Sequence, residues 1–120
     1  PSCSFYLGIP YAPVRALINA NLPVAIASDY NPGSTPSGNM NFLVSLACIK
    51  MKMLPDEAIN AATINAAHAM GVQDILGSIS RGKLANFFIT SAVPSVHYLA
   101  YSFGENCIQE VWIKGRKFTA

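Results

Sequence analysis

The run Pro23-Val24-Ala25-Ile26-Ala27 limits what this chain can fold into more than any other stretch. It holds no polar residue and no alternation, the pattern of a strand covered on both faces rather than one that meets water. A strand is therefore expected over residues 24–28. It ends in a carboxylate, Asp29, and then in the turn-forming Asn31-Pro32-Gly33. Upstream, Val14, Leu17 and Ile18 fall at helical spacing within residues 10–22, and Pro13 suits a first helical turn. A helix feeding a doubly covered strand is the repeating half of an α/β fold. In parallel sheets and barrels, ligands gather at the carboxyl ends of the strands. An acid at that tip, followed by an amide, a glycine and a hydroxyl, stands where a site belongs. An Asp that merely caps its turn gives the same string, and the local pattern leaves both readings open.

After this loop, Ser37 suits the N-cap of a helix carrying Met40, Leu43, Val44, Ala47, Cys48 and Met51 on one face. A second helix starts at Pro55, with Asp56 and Glu57 at its positive end, and stops at Gly71. Its interior is rich in alanine, which lets neighbouring backbones approach closely. From Gly77 the pattern changes to a turn and a strand over residues 84–90. An irregular stretch over 91–107 follows, with Tyr98, Tyr101 and Phe103, and then a hairpin turning at Lys114-Gly115. The chain divides into an α/β portion, residues 1–76, and a small β portion, residues 77–120.

Composition narrows the function classes. Apolar residues make up 52% and charged residues 12% of the 120, against a usual charged share of roughly a quarter. No stretch approaches the ~20 apolar residues of a spanning helix, which argues against a membrane protein. So sparse a charge implies a surface covered by more chain or by a partner, and homo-oligomerisation is expected. A net charge of +2 without a basic stripe gives no case for nucleic acid. Cys3, Cys48 and Cys107 are odd in number and lack CxxC spacing, as free thiols of a reducing cytoplasm would. The start, Pro1-Ser2-Cys3, has neither an initiator Met nor the charged and apolar regions of a signal peptide, and it reads as the inside of a longer polypeptide.

The stretch "ASDYNPGSTPSGNMNFLVSLACIKMKMLPDEAINAATINAAHAMG" resembles the last barrel strand and following helices of the imidazolonepropionases, within the amidohydrolase superfamily. "GSISRGKLANFFI" resembles that superfamily's return to its β-sandwich, with Asn86 where Asp is usual. The resemblance implies an α/β fold: the last units of a metal-dependent-hydrolase (β/α)8 barrel plus the C-terminal strands of a small β-sandwich domain. It also implies a small-molecule substrate, 4-imidazolone-5-propanoate, opened to N-formimidoyl-L-glutamate in histidine degradation. Asp29 matches a ligand, or near ligand, of one Zn or Fe ion that also takes the proton of the attacking water. Asn31 and Gly33 match positions contacting the amidine and carboxylate parts of substrate or product, and Ser34 matches a hydroxyl position in the same pocket. The chemistry suits these types, since an amide, a bare backbone and a hydroxyl bond a planar polar ring without obstruction.

The family's histidine ligands have no counterpart. His68 and His97 are the only histidines, and neither fits that pattern. A lone carboxylate holds a transition metal weakly, so the chain by itself is expected to be inactive. Asp56 and Glu57 read as helix-start charges, Met40, Met51, Met53 and Met70 as core filling, and Trp112 as sheet packing. Cys48 lacks a nearby base. Two alternatives remain: another amidohydrolase (a cyclic-imide hydrolase or an aminohydrolase), or a non-catalytic self-associating module.

Overall fold

The computed structural model describes residues 1–119. The chain opens on a helix that the sequence does not announce, α1 (Ser2–Leu7). It ends where Gly8 turns left-handed (φ 66) and the Ile9 N–H closes on Ser4 O at 3.1 Å. The next helix, α2 (Val14–Asn19), is shorter than residues 10–22. Its stop is set by Asn21, left-handed at φ 59, and by the Leu22 N–H returning to Leu17 O at 3.0 Å.

Residues 24–28 then run without a ladder, and among the described residues no strand pairs with them. This corrects the expectation of a strand. The apolar run predicts burial, but a strand also needs a neighbour, and here helices supply the partners. The Ile26 N–H donates to Ala61 O at 3.0 Å, and the Asn65 amide donates to Val24 O at 2.9 Å. Ile26 is buried in the core, but Pro23, Ala25 and Ala27 are exposed, so the run is covered on one face and not on both.

The central helix is α3 (Met40–Met51). Its N-cap is Asn39, whose Oδ1 accepts from the Phe42 N–H at 3.2 Å; the Ser37 hydroxyl instead accepts from the Asn39 N–H at 3.2 Å. Leu43, Val44, Ser45, Leu46 and Ala47 are consecutive and all buried, so this helix is covered on every side rather than on one face. The expected second helix is two: α4 (Pro55–Ala62) and α5 (Ile64–Ala69), broken at Thr63. Thr63 leaves helical geometry (φ −123, ψ −89), and its hydroxyl donates to Ile59 O at 2.7 Å. Beyond the break Gly77 packs so close that a Cβ there would meet Ala67 Cβ at 2.6 Å.

Arg15 of α2 clamps the α3–α4 turn. Its guanidinium donates to Lys52 O at 3.0 and 2.6 Å and to both Glu57 oxygens at 3.1 and 2.5 Å. Glu57 in turn accepts the Leu54 N–H at 2.7 Å, capping α4. Ala58 and Ala61, both 0% exposed, let α4 lie close in a core with Val14, Ile26, Val44, Ala47, Met51 and Met53.

The β portion is one antiparallel sheet of β1 (Phe87–Thr90), β2 (Ile108–Ile113) and β3 (Arg116–Phe118), in that order. Its first strand starts three residues later than the sequence suggests, because Asn86 is used as a cap: its Oδ1 accepts the Lys114 N–H at 2.8 Å. Lys114 and Gly115 are both left-handed (φ 51 and 74), the geometry of a type I′ hairpin turn. Phe87 and Trp112 sit opposite in register and stack at 5.8 Å. Within residues 91–107 one helical turn appears, α6 (Tyr98–Tyr101). The three cysteines are free thiols, and among the described residues no helix is long and apolar enough to cross a membrane.

Candidate active-site loop

The loop after residue 28 is organised around Asn31. Its Oδ1 accepts the Gly33 and Ser34 N–H groups at 2.9 and 2.8 Å, while its Nδ2 donates to Asp29 O at 2.6 Å. Asn31 and Thr35 then exchange backbone bonds, N–H to O, at 2.9 and 3.2 Å. The sequence thus folds locally for a stated reason: an Asx side chain substitutes for backbone partners around a Pro-Gly turn. Asn31, not Asp29, caps the turn.

Asp29 is exposed and left-handed (φ 51), and Tyr30 beside it is 71% exposed. Its carboxylate makes one contact among the described residues, the Ser34 hydroxyl at 3.5 Å. That hydroxyl also lies 3.0 Å from Asn31 Nδ2 and 3.2 Å from its Oδ1. A Cβ on Gly33 would meet Asn31 Oδ1 at 3.4 Å, so glycine leaves the turn's outer side bare. Asp29, Asn31, Gly33 and Ser34 are therefore brought together in one loop. The arrangement offers a lightly held carboxylate and a hydroxyl able to rotate, while the Gly33 and Ser34 N–H groups are already bonded to Asn31 Oδ1.

Both histidines lie elsewhere. His97 Nε2 stands 2.9 Å from Asp56 Oδ1 at the start of α4. His68 lines a cavity of about 610 Å³ with Pro23, Val24, Asn65, Gln73 and Lys83. Cys48 is half-buried, and burial pushes its thiol up, with Glu57 adding to the rise. Among the described residues no three of His, Cys, Asp and Glu converge as metal ligands. On its own this donor set does not hold a transition metal; Asp29 can supply one ligand.

Sequence reasoning missed two residues here. Thr35 is 1% exposed with its hydroxyl unpartnered, and Ser2 of α1 donates its hydroxyl to Ser28 O at 2.8 Å. A serine in a stretch without periodicity carries no signal of such a contact.

Residues 3–117 match the Amidohydrolase family, and the chain belongs to that family. Its relatives narrow the likeness further. It is 61% identical over 116 residues to the imidazolonepropionase of Christiangramia forsetii and 44% identical over 117 residues to that of Treponema denticola. In both cases 97% of this chain is covered, and the chain spans 28% of the relative's length. Among solved structures it superposes on an adenosine deaminase from Xanthomonas campestris with bound zinc. That match has TM-score 0.83 and 26% identity, covering 98% of this chain and 30% of that one. An E. coli guanine deaminase gives TM-score 0.76 at 20% identity, covering 99% and 32%, and supports the fold alone. The chain thus has an amidohydrolase fold of mixed helices and strands.

Proposed function

We propose that this chain is the C-terminal part of an imidazolonepropionase, which as a complete enzyme opens 4-imidazolone-5-propanoate to N-formimidoyl-L-glutamate. The observation that carries this reading is the 61% identity over 116 residues to a relative of that name. In the complete enzyme residues 1–76 would close a barrel, with 24–28 as its last strand once neighbours flank it, and residues 77–120 would join a β-sandwich. The enzyme would act in the cytoplasm as a homo-oligomer.

Asp29 is assigned two roles, as one ligand of a Zn or Fe ion and as acceptor of the proton from the attacking water. With further ligands from the rest of the enzyme, Asp29 would help hold such an ion, which would supply acidification of the attacking water towards neutral pH. Asp29 then hands its proton to the departing ring nitrogen, which a carboxylate within hydrogen-bond reach can do. The single 3.5 Å contact of its carboxylate supports this, since neither oxygen is committed to the fold. Asn31, Gly33 and Ser34 are assigned to the substrate's polar groups. Ser34 has the most freedom to turn towards a ligand, whereas Asn31 Oδ1 is committed to the loop.

The zinc-bound adenosine deaminase favours a second reading, an aminohydrolase. One experiment separates them. The enzyme extended to the length of its relatives is given 4-imidazolone-5-propanoate and, separately, purine and pyrimidine amines. Ring opening to N-formimidoyl-glutamate without ammonia release supports the proposal. Ammonia release from an amine, with the imidazolone untouched, replaces it with the second reading.

A further inference from the structure

Helix α1 meets the candidate loop through one side chain. Ser2 is 6% exposed, and its hydroxyl donates to Ser28 O at 2.8 Å across 26 positions of sequence. The Ser28 carbonyl shares a peptide plane with the Asp29 N–H, so this bond fixes the plane from which Asp29 departs. On the far side of Asp29, its own carbonyl is held by Asn31 Nδ2 at 2.6 Å. Between these two grips Asp29 stands at φ 51, a left-handed conformation that Asp tolerates better than most L residues and that the two bonds hold in place. The carboxylate itself is nearly untethered, so its aim depends on the backbone.

We infer that Ser2 is a positioning residue: its hydroxyl orients the 28–29 peptide and so aims the Asp29 carboxylate at the water it deprotonates. The inference rests on the proposed role of Asp29. Asn31 fixes the exit of Asp29 within the loop, but it does not reach the entry peptide; a residue from another element has to do so. A carboxylate acting on a proton must lie within hydrogen-bond reach of it, and small displacements from that geometry are costly in rate.

The test uses the complete, metal-loaded enzyme with Ser2→Thr and Ser2→Val, which share a shape and differ in the hydroxyl, and Ser2→Ala in case the larger side chains do not fit. Loss of one neutral hydrogen bond is worth about five- to tenfold. The expected result is a kcat lower by about that factor in Ser2→Val and Ser2→Ala, with KM within about twofold and with Ser2→Thr near the wild type. The Asp29 amide nitrogen-15 shift, which responds to hydrogen bonding at the Ser28 carbonyl in the same peptide plane, should move in the same two variants, while the amides of Leu43 and Leu46 keep their protection from hydrogen exchange. Unchanged kcat and an unchanged Asp29 amide shift in Ser2→Ala would overturn the inference. So would a loss of protection across α3 in Ser2→Ala, since it marks a merely structural role; equal damage in the Thr and Val variants means that the larger side chains do not fit, and Ser2→Ala then decides. Should the wild-type enzyme leave 4-imidazolone-5-propanoate untouched, the proposed function fails; the amide-shift comparison still decides whether Ser2 holds the 28–29 peptide.

Discussion

Asp29 carries the proposed chemistry, and its backbone makes Asn an unusually clean replacement. Asn occupies the left-handed region as readily as Asp, so Asp29→Asn keeps the φ 51 turn while losing the proton acceptor. In the complete enzyme kcat should fall by about 10²–10⁴-fold with an unchanged melting temperature. Steady-state kinetics at matched metal content checks this, and near-normal turnover would refute the role. Asn31→Ala removes the acceptor for the Gly33 and Ser34 N–H groups and the donor to Asp29 O. It should lower stability by about 1 kcal/mol, read from the denaturant midpoint, and loosen the loop. At this scale the string Asp29 to Ser34 was legible, because turn chemistry is written in adjacent residues. Ser2 and Thr35 were not, since nothing local marks a partner 26 positions away or an interior with an unpaired hydroxyl.

Among the elements, the Arg15 clamp makes a pH prediction. The Arg15 guanidinium, and after it the Leu54 N–H, hold the Glu57 carboxyl below its ordinary value of 4.5. A lowered carboxyl contributes stability above its unfolded pKa, and the contribution is lost as pH falls through the folded one. Glu57→Gln should therefore flatten the acid limb of the stability profile, with the largest loss near neutral pH and a loss that shrinks as pH falls below 4.5. Thermal unfolding across that range measures it, and an acid limb as steep as the wild type's would count against the clamp. Both side chains are partly exposed (36% and 25%), so added salt should shrink the effect. The start of α4 and the 114–115 hairpin were legible from the first-turn proline and the turn residues; α3 was legible from its apolar residues, but its cap is Asn39 and not Ser37, because two polar residues two positions apart offer the same signal. The strand over 24–28 was not realised, because pairing depends on a neighbour that apolar pattern cannot specify. The break at Thr63 was hidden inside an alanine run that favours a continuous helix.

The molecule as a whole exposes Phe5, Tyr6, Leu22, Ile79, Tyr101 and Phe103, and residues 24–28 lack a ladder. Surfaces of this kind favour association. As a free 120-residue protein the chain should sediment at micromolar concentration as a dimer or larger, and a well-folded species near 12.8 kDa would contradict this. The same preparation, dialysed against chelator and then against zinc, should retain far less than one ion per chain; about one per chain would overturn the single-ligand account. The turn closed by Asn31 and Thr35 has a different consequence, one of timing. Every bond of that turn joins residues at most four apart, so closing it costs little chain entropy and needs no distant partner. On a growing polypeptide it is expected to form within microseconds, long before any long-range pairing of the 24–28 segment. The apparatus proposed to bind substrate would then be among the first pieces of the chain to fold, and the aim of its carboxylate among the last to be set.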